Sequence, residues 1–123
     1  MFEGKNILIV DDEPDLREIT AFEFEMKGAT VFTAASGNEA FSFLSSKDSE
    51  IHLVVSDVRM PDGTGEELLK KMNDAGLLDA TKIVLVTGFA DLTREAAIEG
   101  GALELFYKPV DWPKLLEFVD DKI

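Results

Sequence analysis

Apolar residues along the chain follow two alternating rhythms. Short runs rich in β-branched residues, at 6–10, 30–35, 51–57, 82–87 and 103–107, are separated by stretches whose apolar positions recur at helical spacing. The segments ILIV, LVVS and IVLV are apolar almost throughout, as strands covered on both faces must be. Helices are predicted over 14–27, 37–47, 64–75, 91–100 and 111–121. Start signals stand at four of the five: Pro14 behind Asp12 and Glu13, Ser36 ahead of Gly37, Thr64 ahead of Gly65, and Asp111 ahead of Trp112 and Pro113. Gly28, Gly76 and Gly100 punctuate far ends. Five strand–helix repeats without a long linker predict one α/β domain around a parallel sheet.

Parallel strands joined by right-handed crossovers end on one edge of the sheet, and ligands bind in the crevice there. The chemistry of the chain is concentrated at these ends. The first strand runs into Asp11 and Asp12, the third ends in Ser56-Asp57, the fourth in Thr87-Gly88 and the fifth in Tyr107-Lys108-Pro109. Taken singly, an aspartate at a strand end is a cap or turn former. Three carboxylates converging in one crevice repel one another, which raises a pKa or recruits a cation. Ligation by oxygen alone suits Mg2+, or Mn2+ in its place. With such an ion present, one carboxylate can attack phosphorus while the metal, Lys108 and a hydroxyl offset charge on the phosphoryl oxygens.

Composition narrows the function classes. With 12 Lys and Arg against 25 Asp and Glu in 123 residues, the formal net charge is −13. Nucleic-acid affinity comes largely from basic residues that release counterions, so direct DNA or RNA contact is not expected. The chain has no cysteine, which excludes a disulfide framework, a thiolate zinc site and a cysteine nucleophile, and agrees with a cytoplasmic location. No stretch approaches the roughly 18 apolar residues of a membrane span, and MFEGKN leads straight into a strand pattern rather than a signal peptide. No membrane contact is expected.

The acidic pair Asp11-Asp12, the run Ser56-Asp57-Val58-Arg59-Met60-Pro61-Asp62-Gly63-Thr64-Gly65, Thr87 and Lys108-Pro109 together resemble the receiver domain of bacterial two-component response regulators. The resemblance covers essentially the whole chain as a single receiver over 1–123. It implies a doubly wound (βα)5 flavodoxin-like sandwich with strand order 2-1-3-4-5, and a stand-alone regulator of the chemotaxis type. It further implies that Asp57 is the phosphoacceptor, taking its group from a phosphohistidine of a sensor histidine kinase or histidine phosphotransfer protein. Asp12 would ligate Mg2+ directly, Asp11 directly or through water, and Asp57 and the backbone carbonyl of Arg59 would complete the protein ligands. Lys108 would pair with the phosphoryl oxygens, ahead of a cis peptide bond to Pro109. Thr87 would donate its hydroxyl to the phosphoryl group and draw the following loop inward. Such a protein is a switch and not an enzyme beyond catalysing its own phosphoryl uptake and hydrolysis. Its output would pass to a downstream protein target, with the chain a monomer or a weak phosphorylation-dependent dimer.

Several positions depart from the family or leave alternatives. Receivers usually carry Tyr or Phe three residues before the lysine, where this chain has Leu105, with aromatics displaced to Phe106 and Tyr107. Either the strand is regular and Leu105 occupies the switch position, or a one-residue bulge brings Phe106 there at the cost of inverting the strand's faces. Arg59 and Phe89, two residues after Asp57 and Thr87, flank the phosphoryl group in the family. A bulky pair there would shield it from water, unless both side chains point to solvent. On the first helix Leu16, Ile19, Phe22 and Met26 form one stripe that includes Glu23 and leaves Phe24 aside. Either the helix is rotated from this wheel, or a phenylalanine is exposed where the kinase's helical domain packs in the family. Trp112 is expected to pack at a helix start, near a face that serves dimers or targets in the family, and His52 to be structural or exposed.

Two other classes compete. Mg2+-dependent phosphatases with an aspartyl nucleophile place a second Asp two residues later as acid and base, and this chain has Arg59 there. A degenerate receiver serving as a constitutive interaction scaffold would ordinarily have lost an acid or the lysine. The segment 11–15 lacks the ligand spacing and central glycine of a calcium loop, and 63–65 lacks the third glycine of a dinucleotide fingerprint.

Overall fold

A computed structural model describes residues 1–46, 50–89 and 92–123. Five strands, β1 (Asn6–Val10), β2 (Thr30–Ala34), β3 (Leu53–Asp57), β4 (Lys82–Thr87) and β5 (Glu104–Tyr107), alternate with helices α1 (Pro14–Glu25), α2 (Gly37–Leu44), α3 (Gly65–Asp74), α4 (Arg94–Glu99) and α5 (Trp112–Lys122). The strands pair in parallel in the order β2-β1-β3-β4-β5, the doubly wound order expected from the resemblance. A short 3-10 turn at Leu77–Asp79, not predicted from periodicity, links α3 to β4. The ends predicted at 47 and 91 lie outside the described residues.

Alternation along each strand divides the core in two. Leu8, Val10, Val54, Ile83, Leu85 and Leu105 point to the face covered by α2, α3 and α4, where they meet Ala40, Leu68, Met72 and Ala97. Ile7, Ile9, Leu53, Val55, Val84 and Val86 point to the face covered by α1 and α5, against Phe24, Leu115 and Val119. Side-chain caps set the helix starts. Ser36, Thr93 and Asp111 accept the amides of Glu39, Ala96 and Lys114, and Thr64 with Glu67 forms a reciprocal capping box. The left-handed residue that ends α4 is Gly101, at φ 112°, one position later than the expected Gly100.

The orientation of α1 corrects the helical wheel. Phe24 is fully buried and Phe22 is 59% exposed, with Ile19 and Met26 exposed beside it. The cause lies outside the helix. Phe2 packs its ring 5.4 Å from that of Phe24 and donates its amide to the Lys27 carbonyl, which turns the Ala21–Phe24 side inward. The two alternatives therefore hold together: the helix is rotated from the wheel, and a phenylalanine, Phe22, is exposed.

Candidate phosphoryl-transfer site

β1 and β3 are neighbours in the sheet, so their C-terminal extensions meet. One carboxylate oxygen from each of Asp11, Asp12 and Asp57 lies within 4.8 Å of the others, a spacing that fits an oxygen-ligated cation. Lys108, one residue beyond β5, brings its Nζ to 3.4 Å from Asp57 Oδ2. Its amide donates to the Thr87 carbonyl, and its bond to Pro109 is cis. The other Asp57 oxygen accepts the Val58 amide at 2.8 Å. Burial pushes the Asp57 carboxyl above its ordinary pKa, opposed by Lys108 and the Val58 amide and reinforced by Asp12. Asp11 is likewise raised, first by burial, with the charges of Asp57 and Asp12 adding to it against the Glu13 amide and Lys108. The site is thus an anionic cluster that one ammonium does not neutralise.

Thr87 is completely buried, and its Oγ1 accepts the Phe89 amide at 3.1 Å. Arg59 and Phe89 are both exposed, yet they contact each other: the guanidinium lies over the Phe89 ring, 3.9 Å from its centroid, bridging the segments that follow β3 and β4. The segment after Asp57 is also held from the other side. Ser36 Oγ and Asn38 Nδ2 donate to the Asp62 carboxylate, Gly37 donates its amide to the Gly63 carbonyl, and Lys71 reaches Asn38 Oδ1. Asp62 has φ 59°, and the two side-chain hydrogen bonds hold its carboxyl below the ordinary value. These tethers were missed in the sequence, although an Asp-Gly pair after a proline is a turn signal. Arg17, whose guanidinium donates to the Asp11 carbonyl at 2.8 Å, was also missed.

β5 continues the register of β4 without a bulge, with Leu85 opposite Leu105 and Thr87 opposite Tyr107. Leu105 therefore occupies the inward position, and the bulge alternative fails. Phe106 points to the opposite face, its ring edge-on to Phe118. His52 lies at the far edge and accepts the Asn6 amide through Nδ1, a structural role. A cavity of about 190 Å3 opens beside Asp57 and Lys108, walled by Leu16 and Ile19 of α1 and by Val110 and Trp112. Trp112 thus lines the cavity as well as opening α5.

The model of the response regulator receiver domain matches residues 7–120. The response regulator protein PilR of Pseudomonas aeruginosa is 32% identical over 91% of the chain, which spans 24% of that protein's length. Among solved structures, a CheY-like response regulator receiver domain protein from Methanospirillum hungatei superposes with a TM-score of 0.84 at 32% identity, covering 96% of this chain and 92% of that one. The response regulator protein TrrA of Thermotoga maritima, solved in complex with Mg2+-BeF, superposes at 0.83 with 30% identity, covering 97% and 99%.

Proposed function

The chain belongs to the response regulator receiver family, and from that premise we propose that it is a phosphorylation-switched signalling domain whose acceptor is Asp57. The observation that carries this reading is the convergence of Asp11, Asp12 and Asp57 within 4.8 Å, with Lys108 3.4 Å from the acceptor. An Asp57 oxygen attacks the phosphorus of a phosphohistidine, forming a P–O bond. The P–N bond breaks and its electron pair stays with the imidazole. Lys108 sits where it offsets charge on the transferred oxygens. Asp11, Asp12, Asp57 and the Arg59 carbonyl would hold Mg2+, and the same oxygen set would take Mn2+. When bound, the ion supplies positive charge against the phosphoryl oxygens. The three acids and Lys108 are retained together, which supports this reading over a scaffold that had lost the chemistry.

The donor would be a sensor histidine kinase or a histidine phosphotransfer protein. Ile19, Phe22 and Met26 give it an apolar landing strip on α1, next to the cavity beside Asp57. We read the chain as one receiver domain over 1–123, working in the cytoplasm and passing its signal to a protein target. No helix among the described residues is long and apolar enough to cross a membrane. It turns over no substrate except its own phosphoryl group.

Intact mass after incubation with acetyl phosphate and Mg2+ tests the site. Wild type gains one phosphoryl group. The gain disappears when the metal is chelated, and Asp12→Ala slows uptake by at least about tenfold, in line with the loss of one metal ligand. Labelling that ignores both changes refutes the assignment. The stacked Arg59 and Phe89 are read as a screen against hydrolytic water. Phe89→Ala is expected to shorten the phosphoryl lifetime about fivefold, equivalent to about 1 kcal/mol on the barrier. Decay of the phosphorylated mass after donor removal measures this, and an unchanged half-life rejects the screen.

A further inference from the structure

Tyr107 is the residue of β5 that stands opposite Thr87 in the β4–β5 register. It shares a strand face with Leu105, which is sealed at 4% exposure, yet its own side chain is 49% exposed. Its hydroxyl donates to the carbonyl of Leu92 at 3.3 Å. Leu92 is five residues beyond Thr87 and is itself buried in the core on the α4 face. The hydroxyl therefore ties the strand carrying Lys108 to the chain that follows Thr87. Thr87 Oγ1 is engaged on that same chain, as acceptor of the Phe89 amide.

We propose that Tyr107 is a positioning residue for the phosphorylation response, its hydroxyl holding Leu92 in the unphosphorylated arrangement. This rests on the receiver reading and adds to it a residue for the coupling. For Thr87 to donate to a phosphoryl oxygen, its hydroxyl turns toward Asp57 and the Phe89 amide moves with it. A hydrogen bond made in only one of two arrangements biases the equilibrium by its own free energy. Leu105 is apolar and offers no polar atom for such a tie, and the Phe106 ring is committed to Phe118 on the other face. The tie falls instead to the half-exposed ring two residues after Leu105.

Amide NMR of wild type and Tyr107→Phe, titrated with beryllofluoride in the presence of Mg2+, tests this. In untreated Tyr107→Phe, the Phe89 and Leu92 signals are expected to lie displaced from the wild-type positions toward those wild type reaches at saturation. The half-saturating beryllofluoride concentration should fall between about twofold and tenfold, the span of one net hydrogen bond. Tyr107→Leu, which also lacks the hydroxyl, should move the same signals the same way. Signals that stay in place or move away from the saturated positions, with unchanged half-saturation, overturn the proposal while wild type still responds. A wild type that shows no response at all overturns the receiver reading, and this inference with it.

Discussion

Asp57→Asn protein treated with acetyl phosphate and Mg2+ is expected to keep its unmodified mass, and to unfold at a higher temperature than wild type. The first effect follows from chemistry: an amide oxygen is too weak a nucleophile to open the donor, so uptake falls to background. The second follows from burial. The Asp57 carboxyl titrates above its ordinary value of 3.8 even with Lys108 at 3.4 Å, so its charged form is less welcome in the folded protein than in the unfolded chain. A folded pKa above the unfolded one leaves stability intact below 3.8 and removes it as pH rises through the folded value. Above the folded value the whole penalty is present, and asparagine removes it. A gain of about 1 kcal/mol is expected, or about 4 °C in Tm for a domain of this size. Calorimetry at pH 7.5 and again near pH 4 checks the sign. The advantage of the variant should shrink at the lower pH, and a variant less stable than wild type at pH 7.5 would mean that the Lys108 pair outweighs desolvation.

Gly65→Ala carries the largest expected cost in stability. A Cβ at Gly65 would sit 2.4 Å from the Asp57 carbonyl oxygen and 3.0 Å from the Val58 Cα. Both obstacles are backbone, so no rotamer change relieves the contact. The Gly65 amide also donates to the Val58 carbonyl at 2.8 Å, drawing the start of α3 against the end of β3. Separating the two loses that bond as well as the packing. A destabilisation of about 3 kcal/mol is expected, lowering Tm by about 10 °C. Because the collision falls on the peptide that carries Asp57, phosphoryl uptake should slow by more than the folded fraction explains. Urea unfolding and single-turnover labelling, run on the same preparation, separate the two effects. A variant within about 0.5 kcal/mol of wild type would show that α3 can shift without cost.

The parts of the site that were legible in the sequence are those the topology forces together. Asp11, Asp57, Thr87 and Lys108 each follow an apolar run, and a parallel sheet leaves those positions no other edge to occupy. Helix starts were legible for the same local reason, since Ser36, Thr64 and Asp111 bond amides only three residues away. Contacts between elements were not. The rotation of α1 depends on Phe2, which belongs to no periodic segment, and the helical wheel placed Phe22 and Phe24 on the wrong sides as a result. Ser36 and Asp62 are 26 positions apart, and neither residue type announces the other. Arg59 over Phe89 joins two segments whose side-chain directions periodicity does not set. Strand alternation did decide between Leu105 and Phe106, because a slip would have carried the whole apolar set of β5 to the other face.

Among the described residues, the two core clusters, one under α1 and α5 and the other under α2, α3 and α4, have no buried side chain in common. In protein engineering terms, the helical layers on the two faces can be edited one at a time, while the strands between them serve both. Substitutions on the α1 surface that retune which donor docks perturb packing on one side of the sheet. Those around Tyr107, Leu92 and α4 that retune the readout perturb the other. Changes more than about 10 Å apart with no shared partners usually combine additively. A lineage or a designer can therefore rewire the input of this protein and its output in separate steps, neither undoing the other.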